Sequence, residues 1–298
     1  MFENDIAPEL LLKIQQTFQA SIEQNMRIKE LYRLLELRKA TYQEANEYAL
    51  LVGEALADAF KKHVRSDALP NGRMYYNIAE RILKSTLGHN HELIADYSVE
   101  VQKAINKKSQ IGIQVQRPKV NEDRINGIID RVSNEENFDD VAWILNEPVI
   151  NFSQSVVDEV VRANADFQYQ SGLEPIIIRR MAGNCCEWCA NLAGTYDYRD
   201  VKDTGNDVFR RHRFCRCTVE YDARDGSAKR NVHTHRDSGT DDDVEARKRL
   251  YEKQVAQMEK DNERQRKERI ARAKQAEEER KLADKERRER LIKESMKG

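Results

Sequence analysis

Leu10, Leu11, Ile14, Phe18, Ile22, Met26, Ile28, Leu31, Leu34 and Leu35 follow one another mostly in three- and four-residue steps, the spacing of a single buried helical stripe. Pro8 stands near the start of that stripe, where a missing N–H costs nothing. A second stripe, Ala45, Tyr48, Leu51, Val52, Ala55, Leu56 and Phe60, opens with TYQE, in which Thr41 can cap the helix and Glu44 can reach back to it. Residues 5–64 therefore read as two helices that pair as a hairpin. SDALPNGR is a turn by its Pro, Asn and Gly, and MYYNIAERILKSTL and ELIADYSVEVQKAINKKS predict two further helices that complete a four-helix bundle. Residues 108–120 carry a Gly, a Pro and short alternation, the composition of a connector, and a domain boundary is placed there. Helical spacing resumes in EDRINGIIDRV and in PVINFSQSVVDEVVRANADFQYQSG, the latter stopped by Gly172. The period then changes: EPIIIRRMA and CRCTVEY are β-branched runs that predict two strands able to pair as a small sheet.

The chain beyond Tyr221 loses its apolar pattern. Residues 223–243 are polar, Gly- and Asp-rich linker. From residue 244 to 298 acids precede bases by four residues, as in Glu263 with Lys267, Glu268 with Arg272, Glu277 with Lys281, Asp284 with Arg288 and Glu289 with Lys293. Each such pair adds roughly 0.2–0.5 kcal/mol to an isolated helix. Val255, Met258, Ile270, Leu282, Leu291 and Ile292 are sparse for an unbroken coiled-coil seam, so a single charged helix is the expectation, with a coiled coil or partner-bound helix as its rival. The fold class predicted is mostly α: an N-terminal helical bundle over 1–110, a small α+β cysteine-rich module over 111–222, a linker over 223–243 and a long charged C-terminal helix over 244–298.

Composition sharpens this picture in two ways. Charged residues make up 35% of the chain, well above the usual quarter, which favours exposed helix. The 51 basic and 52 acidic residues nearly cancel, so any binding to nucleic acid has to come from a local patch. No stretch approaches the roughly 20 apolar residues of a membrane span, and the N-terminus lacks the basic start of a secretory signal. A soluble protein made in the cytosol, with no membrane partner, is the expectation. In that reducing compartment an odd number of cysteines argues against a disulfide framework.

All five cysteines, Cys185 to Cys217, fall in one segment with His212. Cys186-x-x-Cys189 and, 22 residues on, His212-x-x-Cys215-x-Cys217 have the spacing of zinc ligands, which would explain how so polar a loop is ordered. Cys186, Cys189, His212 and Cys215 are the most readily placed ligands of a structural zinc ion. Cys217 competes, but if residues 215–217 are already strand its sulfur lies about 6.5–7 Å from that of Cys215, too far for one ion without a bend. Two other readings stay open: thiols packed as small hydrophobes, or a disulfide joining Cys186 or Cys189 to Cys215 or Cys217. Arg210, Arg211, Arg213 and Arg216 form a basic rim that could touch phosphates, with Phe209, Phe214 and Trp188 able to stack on bases. His233 and His235 could hold a second, catalytic ion in a nuclease, although they sit in the linker. HNHELIA is not a zinc-protease helix, because Ala95 stands where the second histidine is required.

The segment CCEWCANLAGTYDY…FRRHRFCRCTVEY resembles the Mu F-like minor head protein module of tailed bacteriophages. In that family a Cys-x-x-Cys, a Leu-x-Gly turn and a His-x-x-Cys-Arg-Cys before a strand recur in that order. Here these are Cys186, Cys189, Leu192, Gly194, His212, Cys215, Arg216 and Cys217. The family often has prolines around the histidine, where this chain has Phe209, Arg210, Arg211 and Arg213. The resemblance implies a minor capsid or head morphogenesis protein, partnered with the portal, other head proteins and the packaged DNA. It implies no catalytic residue, and a location first in the host cytoplasm and then in the capsid interior.

Overall fold

The computed structural model describes residues 5–182, 186–203 and 206–223. The predicted linker and charged helix, with His233 and His235, lie outside the described residues, as does Cys185. Among the described residues the fold is mostly helical with one small sheet, and no helix is long and apolar enough to cross a membrane.

Helix α1 spans Ala7–Gln24 and α2 spans Met26–Glu36, so the first predicted helix is divided in two. The divider is Asn25, whose extended backbone ends α1 and whose side chain accepts the N–H groups of Arg27 and Ile28 to start α2. The sequence stripe runs across this break without a gap, which is why apolar spacing alone does not show it. Helix α3 (Tyr42–His63) starts with the predicted capping box: Thr41 and Glu44 each satisfy the other's end of the first turn. The two helices predicted over 74–87 and 92–109 are one, α4 (Tyr76–Lys108), because the intervening Gly-His-Asn-His contains no proline and its Asn90 and His91 are buried.

Helix α5 (Glu122–Ser133) follows, capped by the Asn121 side chain, and then α6 (Glu147–Gln170), which is buried along much of its length. Helices α3 and α6 approach closely at Gly53, where an added methyl would stand 2.8 Å from Ser153 Oγ and 3.1 Å from Ile150 Cα. Glycine is favoured there by the Ser153 side chain first and the Ile150 backbone second. One continuous core runs from Ala7 through α4 and α6 to Tyr221, so the boundary expected near residue 110 does not separate two cores. Apolar faces of α4 and α6 pack together across it.

The sheet has the order β2-β1-β3, all antiparallel, with β1 (Ile176–Arg180) in the middle. The predicted pairing of the two β-branched runs is present, with Ile177 opposite Tyr221 and Arg179 opposite Val219 in β3 (Thr218–Asp222). A strand not predicted, β2 (Gly194–Asp197), covers the other edge of β1. Its four residues are too few to show a period. Val219 and Tyr221 turn inward, and a buried relay ties the sheet to the helices: Tyr221 donates to Gln168, Gln168 and Gln102 both donate to Asn106, and Tyr42 donates to Gln102. Each side chain in this relay has a partner, as a low-dielectric interior favours.

Candidate metal centre

Between β1 and β3 the chain makes two tight features that face each other. Cys186 is the N-cap of the short helix α7 (Glu187–Leu192), and Cys189 lies three residues on, so one helical turn puts both sulfurs on the same side. On the other side the His212 carbonyl accepts the Cys215 N–H at 3.1 Å, closing a four-residue turn. Phe214 occupies the third position of that turn with φ of 64°, a left-handed conformation that costs a bulky residue about 1–2 kcal/mol. The turn is held from below, because Asn151 of α6 donates to the same carbonyl at 2.7 Å.

The result is convergence. His212 Nε2 lies 3.1 Å from the Cys186 sulfur and 2.9 Å from that of Cys189, and the Cys189 and Cys215 sulfurs are 3.7 Å apart. A tetrahedral zinc ion with Zn–S near 2.3 Å needs sulfurs about 3.8 Å apart and a sulfur-to-nitrogen edge of about 3.6 Å. The Cys189–Cys215 pair already has that spacing, and the imidazole lies about 0.5–0.7 Å too close to the two sulfurs. Cys215 groups within 4.8 Å with Cys189 and Cys217 and not with Cys186 or His212, so it has to swing toward them to join one ion. His212 Nδ1 donates to the Arg213 carbonyl at 2.5 Å, which leaves Nε2 with its lone pair toward the thiols, the tautomer a metal ligand requires. Trp188 stands edge-on to the ring at 5.3 Å and shields it.

Two overlapping groups could hold a metal ion: Cys186, Cys189 and His212, and Cys189, Cys215 and Cys217. Cys189, Cys215 and Cys217 are buried, and Cys186 is exposed. The expectation that Cys217 lies too far from Cys215 fails, because β3 begins only at Thr218 and the bend at Phe214 brings their sulfurs within 4.8 Å. The Cys215 thiol is pushed down to about 4, first by the hydrogen bond from Cys217 and then by the nearby Arg211 and Arg179 charges. Burial pushes Cys189 up to about 12, while the bond it donates to Cys215 is the first cause holding Cys217 well above its usual range.

The basic rim is only partly a rim. Arg211 is inside: its side chain is 1% exposed, pairs bidentately with the 2% exposed Asp158 of α6, and also binds Asn46 of α3 at 2.9 Å and the Cys217 carbonyl at 2.8 Å. Burial pushes the Asp158 carboxyl up against the pull of Arg211, while Asp158 holds the Arg211 guanidinium above its ordinary value. Arg216 pairs with Glu147 at the start of α6 at 3.0 Å. These two arginines anchor the cysteine segment to α3 and α6 and are not presented to a phosphate. Arg210 and Arg213 remain on the surface, with Arg213 stacked over Trp143 at 4.1 Å and Phe214 at 4.8 Å.

Two buried charged residues not singled out from the sequence also touch the cysteine segment or its anchors. Arg179, in IIIRR, is 2% exposed and donates to the carbonyls of Val208 and Arg210 and, at 3.6 Å, to the Cys215 sulfur. Asp158 carries a visible signal, an acid on the apolar face of VVDEVV, where only a buried cation could hold it. Set against known protein families, curated proteins and solved structures, the chain finds no match.

Proposed function

We propose that this chain is a minor head protein of the Mu F-like kind, acting in prohead assembly at the portal and on the packaged DNA, and not as a catalyst. The observation that carries the reading is the meeting of Cys186-x-x-Cys189 with His212-x-x-Cys215 at the end of a small sheet, the elements and the order on which the resemblance rests. In this reading Cys186, Cys189, His212 and either Cys215 or Cys217 hold a structural zinc ion. Four protein donors close the tetrahedron, which is the arrangement that stabilises a fold and leaves no corner for substrate. The knuckle then serves as a rigid end-piece fixed to a helical body through Arg211 and Arg216, a form suited to docking on a larger assembly.

The test is assembly itself. Proheads made by co-expressing this chain with portal and shell proteins from the same source should contain it in low copy number, and Cys189→Ser should remove it from purified particles. Particles that form, package DNA and never contain the chain would end the proposal. Elemental mass spectrometry of the reduced full chain should give one zinc per molecule.

A further inference from the structure

The charges around the knuckle do not balance in protein groups alone. Arg216 has Glu147, and Arg211 has Asp158. Arg179, 2% exposed in the middle strand, has no carboxylate at ion-pair distance among the described residues. Asp158 is within electrostatic reach of Arg179 as well as of Arg211, so two buried guanidiniums share one carboxylate. What Arg179 does touch is two backbone carbonyls, the Trp188 ring at 5.4 Å and the Cys215 sulfur, and its Nε is buried with no partner. A buried guanidinium left without a counter-charge is costly enough to be avoided almost everywhere.

Resting on the reading of the knuckle as a metal site, we infer that the ion is held by three thiolates, Cys186, Cys189 and Cys215, with His212, and that Arg179 is the counter-cation of that anionic centre. A divalent ion with three thiolates and a neutral imidazole carries one net negative charge, which matches the one net positive charge left, among the described residues, by the buried pair Arg179 and Arg211 over Asp158. Two thiolates would leave a neutral centre and Arg179 uncompensated, and four would leave a surplus negative charge. The geometry selects the third thiolate as Cys215, because Arg179 Nη2 donates to that sulfur and to no other among the described residues. An N–H···S bond of this kind fixes the ligand's orientation and draws charge from it, the role that outer partners of metal ligands generally have. Cys217, whose sulfur lies within 4.8 Å of those of Cys189 and Cys215, is the rival third thiolate. The inference leaves it outside the shell because Arg179 bonds, among the described residues, to the Cys215 sulfur alone while the Cys217 carbonyl is held by Arg211. Such a centre selects soft, tetrahedral ions over magnesium or calcium.

Cobalt(II) loaded into the full chain reads the thiolate number directly, since each Co–S bond adds equally to the charge-transfer absorbance. Wild type and Cys217→Ser should give the same three-thiolate intensity, and Cys215→Ser should lose about a third of it. Arg179→Met should weaken zinc binding about 10–100-fold in competition with a chromophoric chelator, and Arg179→Lys should recover most of that loss. Wild-type zinc affinity in a folded Arg179→Met chain would overturn the inference, as would loss of a thiolate in Cys217→Ser with none in Cys215→Ser. If Arg179→Met does not fold, the two cysteine variants decide alone. Failure of the wild-type chain to take up cobalt or zinc at all would instead remove the metal knuckle itself.

Discussion

Replacing Arg211 by Met should detach the cysteine segment from the helical body. The guanidinium is 1% exposed and its partner Asp158 is 2% exposed, so the substitution leaves a carboxylate buried without a cation. Breaking one member of such a pair costs about 3–5 kcal/mol. Arg211 also gives up bonds to Asn46 Oδ1 and the Cys217 carbonyl, each worth about 1 kcal/mol net. The total is about 5–7 kcal/mol, and at about 2–4 °C of melting temperature per kcal/mol for a body of this size the midpoint should fall by roughly 10–28 °C. Asp158→Leu should be damaging for the mirror-image reason. The double variant Arg211→Met/Asp158→Leu should be milder than either single change predicts, because it removes both charges and fills the space with apolar atoms. Urea unfolding of all four proteins, followed by far-UV circular dichroism, gives the coupling energy, expected at about 2 kcal/mol or more. Single variants that each cost under about 1 kcal/mol, or a double variant as unstable as their sum, would refute the argument that this pair anchors the knuckle.

Other consequences are simpler to read. Gly53→Ala should destabilise by about 1–3 kcal/mol, seen as a lower urea midpoint at unchanged slope, because its methyl would meet Ser153 and the Ile150 backbone in the α3–α6 contact. Burial holds His91 below its usual value of 6.5, so the unfolded chain takes up a proton first and stability falls as pH drops below about 6.5; in His91→Gln that slope between pH 6.5 and 5 should be shallower, and equal slopes would exclude the group. Chelation, or Cys189→Ser, should open the knuckle and expose the amides of residues 186–217 to hydrogen exchange while α3 and α6 stay protected; uniform loss of protection would show that the body depends on the site.

The helical architecture was open to reading because it rests on period. The Leu10 to Ile22 stripe, the α3 stripe and the capping box each declare themselves within a dozen residues, where local sterics and one buried face decide the outcome. Asn25 and the continuous α4 were missed since both depend on which of two compatible local choices the neighbouring helices reward. The cysteine and histidine spacing likewise marks a candidate site, as ligands two residues apart need only a local turn.

What the sequence by itself determined, then, is a mostly helical chain with two short β-branched runs and a cluster of soft ligands between them. Tertiary structure decided which polar groups are inside. Arg211 and Arg216 look alike in the sequence as parts of one basic segment and Arg179 sits in a β-branched run, yet Arg179 faces a sulfur, Arg211 a buried carboxylate and Arg216 a largely buried glutamate. The physical reason is that a charge's role is set by the dielectric and the partners around it. Asn46, Glu147 and Asp158 come from positions 53–165 residues away from the arginines they meet. The bend at Phe214, too, follows from anchors on both sides of the turn, and it is this bend that brings Cys217 beside Cys215.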